Sequence, residues 1–433
     1  MEEVKYEEED SNIKSSANEI LLDPLASTVP RPITNKLFSN EEILPEEEKS
    51  PIINKNSDSV LHLTESELDN KIGASVCSYS TKSNLIKKHV YYIIQGHDSS
   101  GTYEAHRSSK DFRTLRSVLV HNWPGCYIPP VPPKQNANNI NPRFIEKMMK
   151  LYNLFISRIV SYNYLYESDE FQQFIKNPGV YHKLLLRKQP YQDISPKYTK
   201  IFKDYAKETY NEQNEKTVSE GRAFFKIGIE ALEKFENLCK INVDYFENFE
   251  SELTQLMTGV NSLSKFYQEQ YGSKALSVSP REIYSNPFFV LLDWVRWEII
   301  DLKAMIDAID TKKEIDKRQM EIESKMETEK TRMLKIQAGK KMLSQIFSTN
   351  SRERNSQLLE SSIGDMQKEI LALSNISTIS AAKLANLDIP KFKQLKAQKY
   401  EVILRTFAGS SIHEFENMIS QVKEIEEVLN SKE

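Results

Sequence analysis

The stretch that most constrains this chain is residues 286–347. It reads NPFFVLLDWVRWEIIDLKAMIDAI and continues DTKKEIDKRQMEIESKMETEKTRMLKIQAGKKMLSQIF. Past Pro287 it holds no proline, and its single glycine is Gly339. Its first third is apolar around most of the circumference, with Phe288, Phe289, Leu291, Leu292, Trp294, Val295, Trp297, Ile299 and Ile300. The second half is charged and carries apolar residues only at intervals. A helix of ~60 residues is ~90 Å long, more than one globular core covers. Such a rod needs partner helices beside it and a second copy of the molecule across its apolar end.

The 433 residues leave room for two or three domains. The net charge of −4 hides an asymmetry. Residues 1–70 hold 17 Asp and Glu against 6 Lys and Arg, so an acidic leader is joined to a mildly basic body. That body suits an anionic membrane, and its basic excess is too small for a nucleic-acid binder. Residues 1–71 lack sustained periodicity and are expected to be a disordered acidic tail, either regulatory or merely solubilising. Cys77, Cys126 and Cys239 lie far apart without metal-ligand spacing, which points to reduced cytosolic thiols and neither disulfide nor metal site. The amino terminus lacks the basic flank and apolar run of a secretory leader, and no run of ~18 apolar residues spans a bilayer. Membrane contact is therefore expected to be peripheral. No HExxH, G-x-S-x-G or phosphate-loop pattern occurs, so neither enzyme activity nor a cofactor is expected.

Fourteen of the 17 prolines fall at or before Pro196, where the chain changes from mixed structure to long helices. Alternation over Ala74–Ser80, His89–Gln95 and Thr102–Arg107 predicts three strands. A helix over Lys110–Val120, a proline-rich loop Trp123–Lys134, a second helix over Asn141–Ile159 and a short segment Asp169–Ile175 follow. Three strands and then helices make a small α+β domain.

Four motifs in this order resemble the phox-homology (PX) domain: Arg107-Ser-Ser-Lys-Asp-Phe112, the loop Pro124-Gly-Cys-Tyr-Ile-Pro-Pro-Val-Pro-Pro-Lys134, Phe144-Ile-Glu146 and Ser168-Asp-Glu-Phe-Gln-Gln-Phe174. The resemblance covers about 72–178 and implies binding of phosphoinositides, phosphatidylinositol 3-phosphate first among them. In the family an arginine grips the 3-phosphate, an aromatic stacks on the inositol, the loop lysine reaches the 1-phosphate and a second arginine binds the inositol hydroxyls. Here Ser108, Ser109 and Met148 stand at three of those positions, and only Lys134 matches. Two outcomes stay open: a degraded pocket, or a shifted basic pocket of Arg107, Lys110 and Lys134, with His106 beside it. The proline loop, with Trp123, Tyr127 and Ile128, is a candidate to enter the membrane interface.

Residues 179–210 read as a linker with an amphipathic helix. Ser195 is its expected N-cap and Pro196 its first residue. Ile201, Phe202 and Tyr205 lie on its apolar side, with Lys197, Lys200 and Lys203 on other faces. Such a helix lies in a membrane interface or packs its stripe on the neighbouring domain. From residue 211 to the end three long helices follow, the third interrupted at Asp388-Ile-Pro390.

With the PX motifs, these helices resemble the PX–BAR architecture of sorting nexins over about 72–430. The fold that this implies is an α+β PX domain followed by an all-α three-helix antiparallel coiled-coil BAR domain (211–433). The resemblance implies a homodimer or heterodimer with another PX–BAR protein, a basic concave face, and a cytoplasmic, peripheral place on endosomal membrane. It also implies sensing or tubulating curvature in protein retrieval, with coat or cargo partners; the alternative is a dimeric scaffold with little lipid specificity. The expected dimer seam is Phe288, Phe289, Leu292, Trp294, Val295, Trp297 and Ile300. The expected membrane-facing arm and tip are Lys335, Lys340, Lys341, Arg352 and Arg354. Residues 311–354 hold 12 Lys and Arg against 7 Asp and Glu, which reads either as that face or as ordinary solvated charge.

Overall fold

The computed structural model describes residues 73–83, 88–98, 101–132, 134, 141–179, 189–272, 286–337 and 350–430, all within one compact unit. The acidic tail lies outside the described residues.

Strands β1 (Ala74–Ser83), β2 (Lys88–Asp98) and β3 (Gly101–Ser108) form an antiparallel sheet in that order. A bulge lies between Val76 and Ser78. Helices α1 (Ser109–Asn122), α2 (Pro142–Val160), α3 (Asn163–Tyr166) and α4 (Asp169–Lys176) complete this layer. Alternation along β2 turns Tyr92 and Ile94 inward. The helical period of α1 and α2 brings Phe112, Tyr152 and Phe155 to meet them. Phe112 stacks on Tyr152 at 4.1 Å between centroids and meets the Phe174 ring edge-on at 5.1 Å.

Helix α5 (Tyr191–Ile201) connects to three long helical runs: α6 (Glu212–Tyr271), α7 (Phe288–Gln337) and α8 (Asn350–Lys383) with α9 (Ile389–Asn430). The α+β layer and the helices share apolar core. Ile315 and Ile322 of α7 and Leu373, Ile376 and Ile379 of α8 belong to the same buried cluster as Phe112 and Tyr198.

Two local readings change. The expected break at Asp388–Pro390 is instead a single π-helical turn, Leu384–Asp388, and the helix runs on through Pro390. Proline lacks an N–H and clashes with a preceding carbonyl, and a widened turn accommodates both. Helix α5 begins at Tyr191, before the expected Ser195 cap, and carries Pro196 inside it. Ser195 is buried and accepts from Asn375 Nδ2 at 2.7 Å, so packing on α8 places it in the helix body.

The run Ser356–Ser420 is long and apolar enough to cross a bilayer by composition, but 56% of its apolar window is buried inside the protein. It reads as a packed core helix.

Candidate functional site: the PX face and its junction with the helices

The β3–α1 corner is where the PX resemblance places the phosphate grip. Arg107 is 1% exposed. Its Nε donates to Phe174 O at 2.8 Å and its Nη1 to His106 O at 3.0 Å and Gly179 O at 3.2 Å. Nη2 donates to Asn177 O, and the guanidinium lies 5.3 Å from the Phe174 ring centroid. Arg107 therefore ties β3 to the end of α4, and it does not line a shifted basic pocket. Ser108 caps α1, donating its backbone N–H (2.8 Å) and its hydroxyl (2.7 Å) to the Asp111 carboxylate. Ser109 is the first residue of α1, and Met148 is buried in the aromatic core. Lys110, Lys134 and His106 remain exposed among the expected lipid contacts, and His106 Nε2 lies 2.9 Å from Glu104 Oε1. This corner offers two ammonium groups and no accessible guanidinium from the expected set.

The proline loop faces inward, so its expected entry into a membrane is overturned. Trp123, Tyr127 and Ile128 are each 5% exposed or less. Gly125 has φ +76°, and its N–H donates to Thr311 Oγ1 at 3.0 Å. Pro124 O accepts from Tyr198 Oη at 2.6 Å and from Ser380 Oγ at 3.1 Å. A Cβ at Gly125 would meet Ser380 Cβ at 2.5 Å, so only glycine fits between loop and α8.

Further along the loop Tyr127 donates to Asp301 of α7. Arg158 Nη1 of α2 donates to Asp301 Oδ1 at 2.9 Å. Lys396 of α9 binds Asp301 Oδ2 and donates to Glu298 Oε2 at 2.7 Å. Burial works against the Asp301 charge, yet Arg158 and Lys396 hold it well below the usual carboxylate range. Burial, with Asp301 next to it, pushes the Tyr127 phenol well up.

The apolar side of α5 is also taken. Ile194, Tyr198 and Phe202 are buried, and Trp123 stacks on Tyr198 at 5.7 Å. Of the two readings of this helix, packing on the neighbouring domain is the one observed. Lys197, Lys200, Ile201 and Lys203 remain exposed, and Tyr205 is half-buried.

The expected dimer seam is largely covered by the chain itself. Leu292, Trp294, Val295 and Trp297 are buried, and Trp294 packs against Phe235 and Tyr400. Phe288 packs on Phe407, Ile300 is half-buried, and Phe289 stays 44% exposed. The apolar rows left open lie elsewhere: Leu238, Ile241, Tyr245, Phe249, Leu256 and Leu263 on α6, and Ile412, Phe415, Ile419 and Val422 on α9. Adjacent apolar pairs in α6 carried the missed signal. Phe225 and Phe246 face inward, whereas their neighbours Phe224 and Tyr245 face out. Two stripes on one helix require two partners.

On the expected arm and tip, Lys335 is exposed on α7. Lys340 and Lys341 lie outside the described residues, as do the side chains of Arg352 and Arg354.

A family model of the PX domain matches residues 95–178. Sorting nexin-4 of Saccharomyces cerevisiae is 26% identical over 270 residues, 56% of this chain and 60% of that protein. Vacuolar protein sorting-associated protein vps5 of Schizosaccharomyces pombe is 26% identical over 116 residues, 24% of this chain and 20% of that protein. The chain thus matches less than two thirds of either relative. A chain of the SNX-BAR Mvp1 tetramer, solved by cryo-EM, aligns with 82% of this chain and 99% of its own at 14% identity and a TM-score of 0.43. The chain therefore carries a PX domain, followed by a body of long helices.

Proposed function

We propose that this chain is a peripheral protein of endosomal membrane that dimerises and holds anionic lipid during protein retrieval. The carrying observation is the pairing of a PX domain, plugged into the helical body by its proline loop, with apolar rows left open on α6 and α9. A second helical chain covering those rows would double the number of membrane contacts and gain avidity. Head-group selectivity in this reading is weak. The 3-phosphate position is a helix cap at Ser108, and a lost bidentate arginine removes ~1.5–3 kcal/mol.

The same corner favours a second reading, in which the chain is the lipid-poor subunit of a heterodimer whose partner supplies the phosphoinositide grip. Liposome co-sedimentation of the full chain, with and without phosphatidylinositol 3-phosphate, tests both. Binding that follows anionic lipid content and ignores the phosphoinositide is the expected result. Absence of sedimentation even onto small, highly anionic vesicles would overturn the membrane role of the chain alone and leave the heterodimer reading.

A further inference from the structure

The junction behind the proline loop gathers more donors than acceptors. Around Asp301 and Glu298, both buried, stand Arg158, Lys396 and Lys399, three cations against two carboxylates. Lys396 serves both acids, and Arg158 serves Asp301 through Nη1 alone. Among the described residues, Nε and Nη2 of Arg158 make no hydrogen bond, although the side chain is 24% exposed and open to solvent on one side. Lys399, one helical turn beyond Lys396 on α9, is half-buried and makes no hydrogen bond or ion pair among the described residues. Trp297, 3% exposed, lies under the Arg158 guanidinium at 5.7 Å, and its indole Nε1–H, like those of Trp123 and Trp294, has no acceptor among the described residues. Buried donors without acceptors are rare, and each costs free energy.

We propose that this corner of the PX–helix junction binds a phosphate-class anion, with Arg158 and Lys399 as its charge partners and Trp297 Nε1–H as a neutral donor. A phosphate oxygen is the acceptor these groups share, and a guanidinium edge is suited to receive it. The anion would balance the odd cation and join α2 of the PX layer to α7 and α9. Burial first, and then Arg158 and Lys396, push the Lys399 ammonium down to about 8, with Glu298 and Asp301 opposing them. Lys110 and Lys134 on the PX face take no part, so the inference stands apart from the membrane reading.

The test is thermal unfolding of the full chain in inorganic phosphate against chloride at equal ionic strength, for the wild type and Lys399→Gln. Phosphate should raise the wild-type Tm by roughly 2–4 °C. Lys399→Gln should melt higher than wild type in chloride, since it removes an unbalanced charge, and should lose the phosphate response. Trp297→Phe, which keeps the ring and removes the donor, should reduce that response. A second arm separates the sources. If free phosphate has no effect but Lys399→Gln weakens flotation on phosphatidylcholine vesicles carrying a phosphomonoester lipid, the anion is a lipid head group. Identical responses of wild type and Lys399→Gln in both arms would overturn the site.

Discussion

Tyr127, in the middle of the proline loop, donates its phenolic hydrogen to Asp301, buried in helix α7. That bond joins a residue suited to a membrane interface to a carboxylate in the helical core, and it explains why the loop faces inward. Removing Asp301 would leave Arg158 without its carboxylate and Lys396 with Glu298 alone. Asp301→Ala is expected to cost ~3–5 kcal/mol, and Tyr127→Phe ~1–3 kcal/mol, as read from urea unfolding. Equal, small effects of both would mean that the cluster contributes little to docking.

The same cluster sets two pH windows. Asp301 has a folded pKa held below its unfolded value, so its contribution is present above about pH 4 and is lost as pH falls toward the lower folded value. Lys399 runs the other way round. Its ammonium is disfavoured in the folded state, so a penalty is present below about pH 8 and fades as pH rises toward the ordinary lysine value near ~10.4. Stability measured in chloride should therefore rise with pH across that upper window in the wild type, with a smaller slope in Lys399→Gln.

Much of this fold was legible in the chain. Period-two alternation over residues 74–107 marked three strands, and the order of short motifs marked the PX layer. What the sequence left open was the partner of each apolar face. Ile194, Tyr198 and Phe202 have the same spacing whether they meet lipid or α8, because periodicity fixes a face and not its occupant. The apolar start of α7 looked like an oligomer seam because it is apolar all round. Such a helix is equally what the centre of a bundle requires, with α6 and α9 taking its sides. The role of Arg107 depended on long-range carbonyls at Phe174, Asn177 and Gly179 that no local pattern displays.

Gly125 has a left-handed backbone and a close neighbour in Ser380. Gly125→Ala is expected to cost ~1–3 kcal/mol, since the added Cβ meets both the disfavoured φ and α8. Adding Ser380→Gly should recover the steric part and leave the backbone part. Hydrogen exchange would show where the damage falls: faster exchange in the loop and in α5 is expected, with α6 unaffected. Protection unchanged in the loop would show that it does not depend on this contact.

The open rows on α6 and α9 make a prediction opposite to that for α7. Tyr245→Asp with Leu256→Asp, or Phe415→Asp with Ile419→Asp, should turn a dimer into monomer in sedimentation velocity with unfolding stability nearly unchanged. All four residues are at least 55% exposed in the single chain. Trp294→Ala should instead lower stability by ~3–5 kcal/mol, because its ring is in the chain's own core. A wild-type chain that is monomeric at high concentration would move the partner of these rows to a different protein.

The head-group corner permits a gain-of-function test. Arg107 is committed to holding α4, so Arg107→Ala should destabilise the PX layer rather than selectively weaken lipid binding. Ser108 is the position that the PX resemblance assigns to the phosphate grip, and it now caps α1 through Asp111. Ser108→Arg with Ser109→Tyr would sacrifice a cap of ~1 kcal/mol and place a guanidinium and a ring at the head-group face. Co-sedimentation should then depend on phosphatidylinositol 3-phosphate where the wild type does not. If the double variant folds, as circular dichroism would show, and still ignores the phosphoinositide, the pocket has lost more than its gripping side chains. The buried Met148 is then the next residue to replace.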